Sequence, residues 1–123
     1  MDVIRRADVS PFITADGSEI CEILNHRNST VRNQSLAEAT LAVGGETKEH
    51  YHAKAEEIYY ILQGQALMRL NNEERPVTVG DAIAIPPGQS HKIRNTGSTP
   101  LIFLCCCAPG YEHKDTIFTE HTA

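Results

Sequence analysis

Two histidines one residue apart, His50 and His52, are followed after four intervening residues by Glu57, and a third histidine, His91, sits just beyond a Pro/Gly turn. Three imidazoles and a carboxylate from two distant segments form a donor set for a mid-series divalent metal. Imidazole nitrogen suits Zn, Cu, Fe and Ni, and a carboxylate oxygen extends the range to Mn. Four protein ligands leave open positions on a five- or six-coordinate ion, which makes such a site reactive or substrate-binding rather than a structural clip.

These residues can converge only if strands aim them. Side chains alternate between the faces of a strand, so His50 and His52 project one way and Tyr51 the other. Glu57, Tyr59 and Ile61 share a face of the next strand, whose pairing with the histidine strand would carry the carboxylate beside the imidazoles. Glu56 competes for that role, and the period of two favours Glu57. His91, Ile93 and Asn95 share a face, leaving Lys92 and Arg94 for solvent. Pro86-Pro87-Gly88 stiffens and turns the chain just before His91.

Lys48 shares the histidine face if that strand has begun by then, and a lysine there would attract a carboxylate or phosphate. Tyr59 either donates a hydrogen bond into the pocket or is a core aromatic. Asn95 is read as fixing the turn backbone. His26, His113 and His121 lie outside the constellation and are read as exposed.

Written with their spacing, the two stretches are Gly44, five residues, His50-x-His52, four residues, Glu57, six residues, Gly64, and Gly80, five residues, Pro86-x-Gly88, two residues, His91, three residues, Asn95. They resemble the two signature motifs of the cupin superfamily, with every fixed position filled. The resemblance implies an all-β double-stranded β-helix (a small jelly roll, the cupin barrel) as one domain over residues 1–123, with the motifs at 44–64 and 80–95. It also implies one divalent metal (Mn, Fe, Zn or Ni) on His50, His52, Glu57 and His91, and a homodimer. The tail from Gly110 to Phe118, GYEHKDTIF, is similar to the end of the cupin domain in bifunctional mannose-6-phosphate isomerases. That likeness implies metal-polarised, non-redox chemistry on a small sugar, sugar phosphate or keto acid. An iron-dependent dioxygenase of the cupin type and a non-catalytic small-molecule or sugar binder are the alternatives, since one fold hosts many functions.

The rest of the chain reads as short strands. Phe12–Thr14 and Glu19–Leu24 form a hairpin around Ala15-Asp16-Gly17-Ser18, and residues 26–34 form a polar loop. Strands follow over Ser35–Val43, Glu57–Leu62, Gln65–Leu70, Ala82–Ile85, His91–Asn95 and Leu101–Ala108, with a turn at Asn71–Glu74. The last of these is an apolar run read as buried, in which Cys105, Cys106 and Cys107 act as small hydrophobes, with a redox or metal role for whichever of Cys105 and Cys107 faces inward as the alternative. The tail is expected to wrap back over the sheets or reach a partner subunit. A chain of 123 residues with 41% hydrophobic content is long and apolar enough for a real core. Net charge of −5 with no basic run argues against nucleic acid. The absence of a long apolar stretch argues against a membrane span. With no signal-like N-terminus and with free thiols, a cytoplasmic location is expected, and the partner is a small molecule, an anionic sugar being one option.

Overall fold

A computed structural model describes residues 1–14 and 16–119; Ala15 of the predicted turn and His121 lie outside the described residues. Eleven strands occur in it: β1 (Phe12–Ile13), β2 (Glu19–Leu24), β3 (Ser35–Leu41), β4 (His50–His52), β5 (Glu56–Gln63), β6 (Gln65–Leu70), β7 (Glu73–Thr78), β8 (Ala82–Ile85), β9 (His91–Asn95), β10 (Leu101–Ala108) and β11 (Thr116–Phe118). Short 3-10 turns cover Arg6–Asp8 and His113–Asp115, and among the described residues no helix is long and apolar enough to cross a membrane.

One sheet has the order β1-β2-β3-β10-β5-β8 and the other β11-β4-β9-β6-β7, with every pairing antiparallel. From β3 onward the chain crosses between the sheets at nearly every connection, returning to the same sheet only through the β6–β7 hairpin. This winding is the double-stranded β-helix, and the all-β jelly roll expected from the sequence is the observed fold.

Period-two alternation fills the space between the sheets. Tyr59 and Ile61 of β5, Ala66 and Met68 of β6, Ile85 of β8, Ile93 of β9, and Leu101 and Phe103 of β10 form one buried cluster with Ala39 and Leu41 of β3. Strand β10 sits centrally between β3 and β5, yet only alternate residues are inward. Leu101, Phe103 and Cys107 are buried, whereas Ile102, Leu104 and Cys106 are half-exposed on the outer face. The apolar run is thus buried on one side, not both. All four cysteines are free.

Two boundaries differ from the sequence reading. Strand β3 stops at Leu41, because Ala42 begins a turn closed by Gly45 N–H donating to the Ala42 carbonyl. The Asn71–Glu74 turn tightens to two residues, with Asn71 in the left-handed region at φ 53°, so Glu73 and Glu74 already belong to β7. Pro76 and the charges of β7 are tolerated because β7 is the edge of its sheet. The tail does wrap back: β11 pairs with β4, Thr116 opposite His52 and Phe118 opposite His50.

Candidate metal centre

Strands β4 and β9 lie side by side, with His50 directly opposite His91. The short β4 is fixed from three directions. Ahead of it, buried Thr47 exchanges backbone hydrogen bonds with β9: its N–H donates to the Ile93 carbonyl at 3.0 Å, and its hydroxyl accepts from Ile93 N–H at 3.0 Å. Beyond it, Gly88 of the Pro-Pro-Gly turn donates its N–H to the His52 carbonyl at 2.7 Å. That turn needs Gly88 at φ 79°, and this explains why it both delivers His91 and buttresses His52. Along its outer edge runs β11.

The three rings are buried, and one nitrogen of each lies within 4.8 Å of the others. What turns them inward is what holds their far nitrogens. His50 Nδ1 donates to the Lys48 carbonyl at 2.7 Å and His91 Nδ1 to the Gln89 carbonyl at 3.0 Å, while His52 Nδ1 meets the Thr116 hydroxyl at 3.3 Å. A carbonyl can only accept, so His50 and His91 carry their proton on Nδ1. Their Nε2 lone pairs are free to bind, the tautomer that outer partners impose on metal-ligating histidines.

Glu57 comes from β5 of the facing sheet. Its strand pairs with β10 and β8, not with β4, so the expectation that strand pairing would bring the carboxylate beside the histidines is corrected. It reaches them across the barrel, with Oε1 at 3.3 Å from His52 Nε2 and 3.4 Å from His91 Nε2. Glu56 is exposed and Glu57 buried, as the period of two requires.

Burial alone would raise the Glu57 pKa; the neighbouring His52 and His91 rings outweigh it and hold the carboxyl at about 2. For His52 burial opposes protonation, and Glu57 more than compensates, raising its pKa. His50 is lowered, first by burial and then by His91. Despite the close contacts, Glu57 Oε1 and His91 Nε2 have no hydrogen-bond partner. Buried polar atoms are rarely left so. Converging nitrogen lone pairs beside an unpartnered carboxylate oxygen fit a divalent cation, and the three buried histidines can hold one.

His50, His52 and Glu57 line a cavity of about 50 Å³ between the sheets, roomy enough for a few water-sized groups. Tyr59 lies in its wall, stacked edge-on to His91 at 5.9 Å and packed on Phe103 at 4.7 Å. Burial first, and then Glu57, keep its hydroxyl protonated. Lys48 is exposed and outside the lining, because β4 begins only at His50. Its carbonyl serves the site; its ammonium does not line it. Asn95 holds turns, donating to the carbonyls of Leu41, Ala42 and Thr99 and accepting from Gly97 N–H. His26 pairs with Glu112, and His113 contacts the Tyr111 hydroxyl; neither belongs to the convergent cluster.

Further residues line the cavity. Cys107 donates its thiol to Glu57 Oε2 at 3.1 Å, and Cys105 also faces the cavity. Asp16, Glu22, Tyr111 and Thr116 line it as well. The Asp16-Gly17 pair reads locally as turn chemistry, and nothing in its spacing shows that the hairpin closes against β4. Only the alternation of the Cys105–Cys107 run pointed to one of its faces turning inward.

The Cupin domain family matches residues 37–107, more than half of the chain. The chain belongs to that family. It is 50% identical over 112 residues to an uncharacterised protein of Methanocaldococcus jannaschii, covering 91% of this chain and 90% of that one. A glucose-6-phosphate isomerase of Thermococcus gammatolerans is 43% identical over 65 residues, covering 47% of this chain and 34% of that one. Among solved structures, a predicted oxalate decarboxylase from Thermotoga maritima superimposes with a TM-score of 0.78 at 28% identity, covering 88% of this chain and 99% of that one.

Proposed function

We propose that this cupin is a metal-dependent enzyme that performs non-redox chemistry on a small carbonyl compound. The carrying observation is the convergence of three Nδ1-tethered histidines, with Glu57 Oε1 beside two of them and both that oxygen and His91 Nε2 unpartnered. His50, His52, Glu57 and His91 are the ligands in this reading. A divalent metal there acts as a Lewis acid on a carbonyl or hydroxyl oxygen. Tyr59 contributes a protonated hydroxyl to the same wall, and Phe103 fixes its ring. The shared segment with glucose-6-phosphate isomerases supports carbonyl chemistry.

The lining refines the substrate. Among the described residues it contains Asp16, Glu22 and Glu57 but neither lysine nor arginine. A phosphate buried there would meet carboxylates and no side-chain cation, so only the metal would balance its charge. The reading therefore favours an uncharged hydroxy-carbonyl compound over a sugar phosphate. The outer face of the larger sheet, with Ile58, Tyr60 and Leu62 exposed on β5, supports a homodimer packed sheet to sheet.

The test is reconstitution with Mn, Fe(II), Co, Ni and Zn in turn, followed by NMR assays of aldose–ketose interconversion on uncharged trioses and tetroses. Interconversion without oxygen uptake is expected. Iron-dependent oxygen uptake would replace this reading with a dioxygenase, and tight ligand binding without turnover would replace it with a binding module.

A further inference from the structure

The cavity holds a carboxylate that the ligand set does not use. Asp16 lies in the β1–β2 hairpin and lines the same cavity as His50, His52 and Glu57, yet it is not part of the convergent cluster. Its side chain is held in one orientation: Oδ1 accepts from the Thr14 hydroxyl, from Ser18 N–H at 2.9 Å and from the Ser18 hydroxyl at 2.6 Å. Its backbone carbonyl accepts from Lys48 N–H at 2.9 Å, which ties the hairpin to the chain leading into His50. Three donors converge on one oxygen, and Oδ2 keeps its lone pairs. Asp16 lines the cavity together with His50, Tyr59 and Tyr111, and after burial its charge is among the lesser influences on all three.

The other titratable groups in the wall are committed or unsuited. Glu57 stands against two imidazoles, and Glu22, whose buried Oε1 has no hydrogen-bond partner, has the Arg27 guanidinium 3.9 Å away. Tyr59, Tyr111 and Cys105 are pushed by burial toward their protonated forms, so they do not accept protons at neutral pH. Of the two lining carboxylates outside the ligand set, Asp16 is the one that hydrogen bonds orient and that no cation faces among the described residues.

We propose that Asp16 is the catalytic base of this site, acting on an uncharged α-hydroxy carbonyl compound; this rests on the non-redox reading above. Asp16 takes the proton from the carbon that bears the hydroxyl. The electron pair of that C–H bond forms the double bond to the neighbouring carbonyl carbon as the carbonyl π pair moves onto oxygen. The proton then returns to the former carbonyl carbon, and the hydroxyl proton passes to the former carbonyl oxygen. Carbonyl and hydroxyl have exchanged places, with atoms and electrons conserved and no co-reactant consumed.

The experiment uses the full chain loaded with cobalt, dihydroxyacetone in D2O, and NMR of deuterium incorporation at carbon. Cobalt affinity and the cobalt absorption spectrum are recorded in parallel. Wild type should exchange well above free cobalt. Asp16→Asn should lower exchange by about 10²–10⁴-fold, the usual contribution of a positioned base, with cobalt affinity and spectrum unchanged. Asp16→Glu, which keeps the charge and shifts it by one methylene, should fall between them. A folded, cobalt-loaded Asp16→Asn protein that exchanges like wild type overturns the role of Asp16 while leaving the carbonyl reading standing. Wild type that binds cobalt but exchanges no faster than free metal overturns both, and wild type that takes up no cobalt overturns the metal site itself.

Discussion

Cys107 and Glu57 stand opposite one another in the β10–β5 ladder, and the Cys107 thiol donates to Glu57 Oε2 at 3.1 Å. Burial, together with the adjacent carboxylate, holds that thiol protonated, so it acts as a donor. With Oε2 occupied, Oε1 is the oxygen presented to His52 and His91. Cys107 is thus a positioning residue, and the inward face of the cysteine run has a polar task as well as a packing one.

Replacing Cys107 by Ala should weaken metal binding by about 10-fold, the lower end of what outer partners contribute. Cys107→Ser, which retains a donor, should restore most of it. Chelator competition measures both. Equal affinity in wild type and Cys107→Ala would remove the thiol from the account, and a thiolate-to-cobalt charge-transfer band would make Cys107 a ligand instead.

His52→Ala should abolish stoichiometric metal while the protein stays folded. The core that closes the barrel is the apolar cluster around Phe103 and Ile61, which does not include the histidines. Elemental analysis and thermal unfolding in chelator check the two halves. A variant that is unfolded until metal is added would show a structural site.

How far the sequence reached depends on whether the signal was local. The facing of His50 with His52, and of Glu57 with Tyr59 and Ile61, follows from alternation within one strand, and it holds. The route by which Glu57 meets the histidines depends on which sheet β5 joins, and no short-range pattern encodes that. Lys48 was placed on the histidine face by extending a strand that in fact starts at His50. No local pattern marks Asp16 or Thr116, because each reaches the cavity through a long-range closure, the hairpin against Lys48 ahead of β4 and the tail alongside β4.

Acid should act on the metal-free protein through Glu57. Its carboxyl pKa falls on folding to about 2, so its stabilising contribution is complete above the unfolded carboxylate value of ~4.3. That contribution is lost as pH drops from there toward the folded value. Urea midpoints of wild type should decline over this window more steeply than those of Glu57→Gln. Parallel curves would place the acid sensitivity elsewhere.

The exposed apolar residues of β5 predict where a second copy packs. Ile58, Tyr60 and Leu62 are 50%, 43% and 41% exposed, and Ile102, Leu104 and Cys106 of β10 lie half-exposed on the same face. Burying such a patch against itself desolvates no charge on these side chains, which suits a two-fold interface. Light scattering should give a dimer for wild type and a monomer for Ile58→Glu/Leu62→Glu. An unchanged dimer in that variant would move the interface to another surface.

Lys48 supplies the last prediction, because its backbone and side chain are assigned different consequences. The carbonyl accepts from His50 Nδ1 at 2.7 Å and the N–H donates to the Asp16 carbonyl at 2.9 Å, while the side chain is exposed outside the cavity lining. Lys48→Ala keeps both backbone contacts, so metal affinity and the binding of an uncharged triose should stay within about twofold, as for other exposed substitutions. Lys48→Pro removes the N–H and restricts the residue before it. The hairpin then loses its tie to β4, Asp16 loses its fixed place, and the His50 ring loses the alignment its carbonyl partner imposes. Both metal affinity and deuterium exchange should fall in Lys48→Pro. Measured side by side by chelator competition and NMR, a loss of triose binding in Lys48→Ala would return the ammonium to the site, and an unaffected Lys48→Pro would show that this backbone link positions nothing.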